Sequence, residues 1–297
     1  LSEQLGWKCD NVRAAYSEIS QDIQNEVYAG ARAFVQANKG RYKCGGYIYT
    51  GEGQDLGQFW AELNVGNAKV KKTTANEIVT NGNAMYSIVG ATFGIFLDQN
   101  CSNQIGTLTT NENGDTNEVE VTAGTVYIKE LSAPKGYKLD TTVRSLKVEA
   151  GKTAVLNVSD VPKVTETLVD LFKIDMETGK ATAQGNAALS GAEFTWHYYD
   201  GLYTKDNLPE KATRTWVTKT VAEKDSNGTG HYVTKLADAY KVSGDTFYTQ
   251  NEKSVLPLGT LTVEETKAPD GYLLDGAYMQ EGDSTEPVSY THLTLPT

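Results

Sequence analysis

One block of sequence occurs twice, and this repeat limits what the chain can fold into more than any other feature. Lys72 and Lys173 each stand eighteen residues before a Gly-Ala-x-Phe element. Each copy continues to a glutamate, Glu130 or Glu265, that opens a Glu-x-x-Ala-Pro-x-Gly-Tyr box, and a Leu-Asp pair follows. A repeat at matched spacing predicts two tandem copies of one domain.

The repeated region has the pattern of short β-strands. From about Asn67 onward, stretches rich in Thr, Val and Tyr are separated by Asn-Gly pairs such as Asn81-Gly82 and Asn113-Gly114. Asn-Gly is typical of tight turns between antiparallel strands. We therefore predict that this part of the chain is mainly β.

Alternation within these strands places ionisable side chains on the inward face. Successive side chains of a strand point to opposite faces, so residues two apart share a face. Lys72, Glu130 and Asp160 each end a row of apolar residues in the first copy, and Lys173 and Glu265 do so in the second. Burying ionisable groups is unfavourable unless they neutralise one another. We therefore expect these groups to interact.

Charge and residue content disfavour several classes of function. The formal net charge of −11 disfavours nucleic acid and anionic lipid as partners, because both require a basic face. The three cysteines lack CxxC spacing and the three histidines are isolated, so we predict neither a metal site nor a bound cofactor. A Cys9–Cys44 disulfide stays open as an alternative to free thiols.

The N-terminal region differs from the rest of the chain. Between residues 11 and 38, apolar side chains recur at spacings of three and four, which predicts a long helix with one apolar stripe. Asp10 or Asn11 is suited to cap its start, and Gly40 to end it. The Gly-rich, aromatic stretch from Tyr42 to Leu63 is predicted to form strands and loops. We interpret this region as the C-terminal part of a domain that begins upstream.

The second copy is longer than the first and ends differently. An aromatic and charged insertion lies between Phe194 and Gly259. The counterpart of the strand that ends at Asp160 is missing after Asp275, which predicts an exposed sheet edge. The last ten residues resemble translated sequencing-adapter read-through, and we expect them to be non-native.

The lysine strand, the Gly-Ala-x-Phe strand and the Glu-x-x-Ala-Pro-x-Gly-Tyr box together resemble the SpaA/CnaB-type, prealbumin-like domains of Gram-positive surface proteins and pilins. The resemblance covers residues 67 to 285. It implies seven-stranded sandwiches, so we predict a mainly β fold with two tandem Ig-like/prealbumin-like β-sandwiches after an α-helical remnant. The predicted segments are the N-terminal remnant (1–66), a first sandwich (67–163), a second sandwich lacking its last strand (164–285) and a non-native tail (286–297).

The resemblance also implies an intramolecular isopeptide bond in the first copy. By this resemblance Lys72 is the nucleophile, Glu130 the catalytic carboxyl, and Asp160 the acceptor whose side-chain carbonyl is attacked, although asparagine is the commoner acceptor in such domains. Lys71 is the alternative lysine and Asn157 the alternative acceptor. Alternation places both alternatives on the outward face.

Burial explains why such a site can react. Desolvation favours the neutral forms of an amine and of a carboxyl group, and a neutral acid can polarise the acceptor carbonyl by a hydrogen bond. Holding the amine against the carbonyl supplies the effective concentration that solution lacks. The product amide is uncharged, and one water leaves. In the second copy Lys173 and Glu265 have no acceptor strand, so we expect no isopeptide bond there.

A covalent tie between the first and last strands suits a protein under mechanical load. We predict an extracellular, cell-wall-associated stalk, pilin or adhesin and not a turnover enzyme. Its expected partners are neighbouring pilus subunits or host extracellular proteins, and no membrane contact is expected. The alternative is a host-binding adhesin with an N-terminal thioester domain, to which Cys44 and Gln58 would contribute, and with the repeats as spacers.

Overall fold

β-Strands are the main regular structure in the part of the chain that the computed structural model describes, namely residues 21–49, 56–166, 169–274 and 291–294. The helices in these ranges are α1 (Gln21–Ala37) and α2 (Glu77–Thr80), with 3₁₀ turns at Lys205–Asn207 and Asp238–Tyr240. The first nine strands are β1 (Tyr42–Tyr49), β2 (Leu56–Leu63), β3 (Val65–Thr74), β4 (Thr92–Phe96), β5 (Gln104–Thr109), β6 (Val119–Thr122), β7 (Gly124–Ser132), β8 (Arg144–Val148) and β9 (Thr153–Asp160). The others are β10 (Val164–Glu166), β11 (Leu171–Lys173), β12 (Glu193–Tyr199), β13 (Arg214–Lys219), β14 (Val221–Lys224), β15 (Gly230–Thr234), β16 (Lys241–Gly244), β17 (Tyr248–Gln250), β18 (Lys253–Pro257), β19 (Thr260–Lys267) and β20 (Thr291–Thr294).

The first copy of the repeat folds as a seven-stranded sandwich, as predicted. One layer is the sheet β6-β3-β9 and the other is β5-β4-β7-β8. Strand β9 lies parallel to β3, whereas the remaining strand pairs of this sandwich are antiparallel. Apolar side chains from both layers fill the core, and full burial of each contributes about 1.5–3 kcal/mol. They include Val70, Phe93, Ile95, Leu108 and Ile128.

The alternation read from the sequence is present in the strands of this sandwich. Along β3, Val70 and Lys72 are buried while Lys71 between them is partly exposed. The Asn-Gly pairs lie in turns, where Gly82 and Gly114 have φ angles of +73° and +78°. Such positive φ angles are readily adopted by glycine, so these turns follow from the residue type.

The second copy builds its core from the insertion as well as from the repeat. Its largest sheet has the order β16-β13-β12-β19-β20, and two three-stranded sheets have the orders β11-β15-β14 and β10-β18-β17. Strands β13 to β18 all lie within the aromatic insertion. The insertion is therefore part of the folded core, to which it contributes buried Trp216, Tyr240 and Tyr248.

The lysine strands of the two copies have different neighbours. In the first copy β3 lies between β6 and β9, whereas in the second copy β11 is an edge strand that pairs only with β15 among the described residues. Residues Thr291–Thr294, in the segment expected to be non-native, form strand β20 beside β19. Strand β20 pairs with β19, which carries Glu265, whereas β9 in the first copy pairs with the strand that carries the lysine. Strand β20 therefore does not replace β9 in the second copy.

The region before the sandwiches consists of a helix and a hairpin. Helix α1 confirms the predicted helix from residue 21 to 37, and Gly40 follows it with φ +82°. The predicted caps Asp10 and Asn11 lie outside the described residues. Strands β1 and β2 form a two-stranded antiparallel sheet with exposed aromatic side chains: Tyr47, Tyr49, Phe59 and Trp60.

The two sandwiches share a buried junction. The side-chain amide of Asn83 donates to the hydroxyl of Tyr198 at 2.9 Å and to the carbonyl of Leu258 at 3.0 Å. The hydroxyl of Tyr86 donates to the carbonyl of Lys163 at 2.6 Å and accepts from the backbone N–H of Leu258 at 2.8 Å. The segment that follows the lysine strand of the first copy therefore packs into the core of the second.

Candidate functional site

Three ionisable side chains meet in the core of the first sandwich. Lys72 Nζ lies 2.6 Å from Glu130 Oε1 and 2.5 Å from Asp160 Oδ2. The lysine is fully buried, and the glutamate and aspartate are 3% and 1% exposed. The structure thus brings together the three residues that the sequence singles out and shields them from bulk water.

The parallel pairing of β3 and β9 places the aspartate beside the lysine. In this register Thr74 lies opposite Asp160, two residues beyond Lys72 on the same strand. The backbone N–H of Ala75 donates to the carbonyl of Asp160 at 2.8 Å. This bond secures the end of the strand pair at Asp160, two to three residues beyond Lys72 along β3.

Phe93 and Gly114 close the site around the lysine. Phe93 pairs with Glu130 across β4 and β7, and its ring centroid lies 5.0 Å from Lys72 Nζ. The carbonyl of Gly114 accepts the backbone N–H of Lys72 at 2.7 Å. A Cβ at position 114 would lie 2.2 Å from the Lys72 carbonyl oxygen, so this close approach requires glycine.

Asp160 approaches Lys72 closely without hydrogen-bond alignment. Both of its carboxyl oxygens are buried and lack a hydrogen-bond partner, although Oδ2 lies 2.5 Å from Lys72 Nζ. A buried carboxylate without hydrogen bonds is strongly disfavoured. Lys72 Nζ and Asp160 Oδ2 are therefore in close contact inside the core, with a geometry outside that of an ordinary hydrogen bond.

Glu130 has the environment of a neutral acid. Burial raises the pKa of Glu130, an effect that hydrogen bonds from Lys72 and from the backbone N–H of Asp140 partly offset. The Asp140 N–H donates to Glu130 Oε2 at 2.8 Å, while Oε1 faces Lys72. A carboxyl group with a raised pKa retains its proton more readily, so it can act as a hydrogen-bond donor.

The structure separates the candidate residues from their alternatives. Lys71 Nζ lies at the surface, where it contacts Asp115 Oδ2 at 2.9 Å. Asn157 is exposed on the outer face of β9. Neither alternative therefore reaches the buried cluster.

The second copy retains the lysine–glutamate pair only. Lys173 Nζ lies 2.5 Å from Glu265 Oε2, and 17% of the lysine side chain is exposed. Glu265 Oε1 is buried without a hydrogen-bond partner. Phe194 pairs with Glu265 as Phe93 pairs with Glu130, so the two copies share this half of the site. Within the described ranges no strand supplies a third member.

The hairpin register separates the two residues of the thioester alternative. Cys44 pairs with Ala61, whereas Gln58 pairs with Tyr47, three residue pairs away. Three residues along a strand span about 10 Å and reverse the face on which a side chain lies. Cys44 and Gln58 therefore lie apart on opposite faces of the hairpin. Cys44 has a free, exposed thiol, and Cys9 lies outside the described residues.

The described ranges contain no group of three or more His, Cys, Asp or Glu side chains that could hold a metal ion. None of their helices has the length and apolar character needed to cross a membrane.

Sequence reasoning missed the backbone contact of Asp140 with the site. Glu130 was identified by its position in a strand, but its second oxygen is bound by a main-chain N–H that side-chain patterns do not reveal. The available signal was the Leu-Asp pair, Leu139-Asp140 and Leu274-Asp275, which follows the box in both copies.

Comparisons with known proteins identify the first sandwich. Residues 65–162 match the family model described as SpaA: Prealbumin-like fold domain. A curated relative, the "Trypsin-resistant surface T6 protein" of Streptococcus pyogenes serotype M6, is 34% identical over 88 residues, which is 27% of this chain and 16% of the relative. The chain thus spans about a sixth of that relative's length. Residues 65–162 therefore form a SpaA prealbumin-like domain, and the resemblance stated from the sequence is confirmed for them.

Three of the solved structures to which this chain is similar include a pilus adhesin fragment and a pilin, and all three have TM-scores below 0.5. The TIE protein of Bacillus anthracis is 20% identical with a TM-score of 0.46, covering 85% of this chain and 39% of that chain. A C-terminal fragment of the pilus adhesin SpaC from Lactobacillus rhamnosus GG is 18% identical with a TM-score of 0.38, covering 77% and 82%. The major pilin subunit BcpA of Bacillus cereus is 14% identical with a TM-score of 0.28, covering 78% and 95%.

Proposed function

We propose that the chain is part of a cell-wall-associated stalk, pilin or adhesin whose first sandwich forms an autocatalytic isopeptide bond between Lys72 and Asp160. The observation that carries this proposal is the buried contact of Lys72 Nζ with Glu130 and Asp160 at 2.6 and 2.5 Å. The bond forms once per molecule, so the chain is not an enzyme with turnover. Residues Lys173 and Glu265 form a matching pair that stays unbonded in this chain.

The reaction is a condensation of an amine with a carboxylic acid. Lys72 first transfers a proton to Glu130, which leaves a neutral amine and a protonated carboxyl group. The amine nitrogen attacks the side-chain carbonyl carbon of Asp160 while Glu130 donates its proton to a carboxyl oxygen of the aspartate. The C–O bond of that oxygen then breaks, the nitrogen loses a proton through Glu130, and one water leaves. One N–C bond replaces one C–O bond, so atoms and charges balance.

Burial favours the product over the reactants. Three ionisable groups are costly to hold in an apolar core, and the orphaned oxygens of Asp160 increase this cost. An amide carries no charge and needs only ordinary hydrogen bonds. The cross-link also closes a loop on the order of a hundred residues, which contributes about 4–5 kcal/mol in the chain-entropy model. Its mechanical effect is larger, because the two tied strands separate only if a covalent bond breaks.

Extracellular placement rests on the relatives of the domain. The curated relative is described as a surface protein that resists trypsin. A domain whose first and last strands are joined covalently is expected to resist proteolysis, because cleavage requires local unfolding. Neighbouring subunits of a surface assembly and host extracellular proteins are the partner classes that suit such a chain.

The proposal is tested by the intact mass of the 297-residue chain. We expect the wild type to be lighter than its sequence by one water, and the Lys72→Ala, Glu130→Ala and Asp160→Ala variants to match their sequences. The matched control is Lys173→Ala, which removes the corresponding lysine of the second copy and should keep the loss of one water. A wild-type mass equal to the sequence would contradict the proposal.

An Asp160→Asn variant identifies the acceptor. Attack on an asparagine releases ammonia instead of water, so the cross-linked products of the variant and the wild type are the same molecule. We expect their mature masses to coincide, although the two sequences differ in mass. Masses that keep the difference between the sequences would show that residue 160 is not the acceptor.

A further inference from the structure

The second oxygen of Glu130 is held by a main-chain group that the proposed reaction has not used. Oε1 contacts Lys72 Nζ at 2.6 Å, whereas Oε2 accepts the backbone N–H of Asp140 at 2.8 Å. The two oxygens of this carboxyl group are therefore not equivalent. A proton placed on Oε2 would face an N–H donor, so Oε2 remains the acceptor and the proton belongs on Oε1.

The side chain of Asp140 fixes this N–H. Its Oδ1 accepts the backbone N–H of Thr142 at 2.9 Å, and its Oδ2 contacts Arg144 Nη2 at 2.7 Å. Arg144 begins strand β8 and pairs with Ile128 on β7, the strand that carries Glu130. The turn is thus anchored to the glutamate strand through an ion pair.

The same segment also contacts the residues that follow the acceptor. The backbone N–H of Lys138 donates to the carbonyl of Val161 at 3.1 Å, and that of Lys163 donates to the carbonyl of Gly136 at 2.8 Å. Residues 136–140 therefore link the continuation of strand β9 to the acid. One segment determines both where the acceptor lies and how the acid is oriented.

We propose that the backbone N–H of Asp140, held by the Asp140–Arg144 pair, is a positioning group that keeps the catalytic proton of Glu130 on Oε1, next to Lys72. This inference rests on the proposed isopeptide reaction and adds a residue that the reaction does not touch directly. It gives a role to the Leu-Asp pair that follows the box in both copies. In the second copy Glu265 Oε1 is buried without a hydrogen-bond partner, so the described part of that site lacks the corresponding contact.

The inference predicts a particular change in pH dependence. A hydrogen bond from a backbone N–H stabilises the carboxylate and lowers the pKa of Glu130. Its removal raises that pKa further, so the acid keeps its proton to higher pH. Bond formation should become slower where Glu130 is fully protonated, because the proton is shared between both oxygens, and its decline at alkaline pH should shift upward. A purely structural role for Asp140 would slow the reaction without moving the decline.

The test measures the rate of bond formation during refolding of the full chain. Chains isolated unfolded and without the cross-link are diluted into native buffer over a range of pH, and the fraction that has lost one water is followed by intact mass. Asp140→Pro removes the N–H, Asp140→Ala releases the turn, and Asp140→Asn keeps an oxygen for the Thr142 N–H. Asp98→Ala is the matched control, because Asp98 also binds backbone N–H groups of a turn, those of Ser102 and Asn103, away from the site.

We expect Asp140→Pro to be about tenfold slower, the high end for loss of one hydrogen bond between neutral groups, with its alkaline decline shifted to higher pH. Asp140→Ala should show a smaller change of the same kind, Asp140→Asn a smaller one still, and Asp98→Ala none. If the proline variant does not fold, the alanine and asparagine variants test the inference by the same two measurements, the rate of bond formation and the pH at which that rate declines. Unchanged rates, or slowing without a pH shift, would overturn the inference while the wild type still loses water. Absence of water loss from the wild type would instead contradict the proposed function.

Discussion

The two copies of the repeat contain the same lysine–glutamate pair in different surroundings. Lys72 is fully buried against Glu130 in the first copy, whereas 17% of the Lys173 side chain is exposed beside Glu265 in the second. The difference is strand β9, which covers β3 and delivers Asp160, while β11 has no such neighbour among the described residues. The pair thus belongs to the repeat, and the last strand supplies both the acceptor and the exclusion of water.

The largest difference between the two copies is expected when the lysine of each copy is replaced in turn. Lys72→Ala abolishes the cross-link, worth about 4–5 kcal/mol, and leaves Asp160 as a free carboxyl group buried without a hydrogen-bond partner, which adds to the cost. We expect the segment 65–162 to lose most of its protection in hydrogen exchange followed by mass spectrometry. Lys173→Ala, in the partly exposed pair, should affect residues 169–274 much less. Equal losses in both variants would contradict the contrast.

Replacing Glu130 by glutamine measures the contribution of the cross-link to stability separately from the contribution of side-chain packing. Glu130→Gln keeps the shape of the side chain and keeps Lys72 and Asp160, but it removes the group that transfers protons. We expect this variant to have the mass of its sequence, with no loss of water. We also expect the free energy of unfolding of its first sandwich to be lower by about 4–5 kcal/mol. Stability is measured by denaturant dependence of proteolysis within residues 65–162. A Glu130→Gln chain that still loses water would show that Glu130 is not required.

The junction between the sandwiches limits how independent the two copies are. Asn83→Ala removes three side-chain hydrogen bonds, two across the junction and one from the backbone N–H of Met85, and leaves the hydroxyl of Tyr198 without this buried partner, which should cost about 1–3 kcal/mol. We expect faster hydrogen exchange both near residue 83 and near Leu258. Asn76→Ala is the control, because its amide also crosses the junction, to the carbonyl of Thr249, but in an exposed position. Similar effects of the two variants would mean that burial at Asn83 does not matter.

The junction should also weaken at high pH. Burial raises the pKa of Tyr86 to about 12, above the usual value near 10 that holds in the unfolded chain. Because the folded state holds this proton more tightly, the contribution is fully present below pH 10 and is lost as pH rises toward 12. The protection of the Leu258 amide, measured as its exchange rate relative to the base-catalysed rate of a free amide, should therefore fall over this range. Tyr86→Phe should reduce that pH dependence without abolishing it, because burial also raises the pKa of Tyr198 and Tyr248. An unchanged dependence would assign it to groups other than Tyr86.

The inward positions of the site were predictable, and its surroundings were not. Period-two alternation places Lys72, Glu130 and Asp160 inward because a strand offers only two faces. The junction partners of Asn83 and Tyr86 lie 77 to 175 residues away along the chain, and no local pattern specifies such docking. The contact of Asp140 with Glu130 is made by the backbone N–H, which every residue except proline has. An aspartate at position 140 therefore predicts a turn held by its side chain, but it does not predict which group its backbone N–H binds.

The central claim is tested most directly by fragment mass spectrometry of the digested wild-type chain. The account predicts one branched peptide in which Lys72 Nζ is joined to the side-chain carbonyl of Asp160 with loss of one water. It also predicts that the peptide containing Lys173 is linear. Recovery of Lys72 and Asp160 in separate linear peptides, each with the mass of its sequence, would contradict the account.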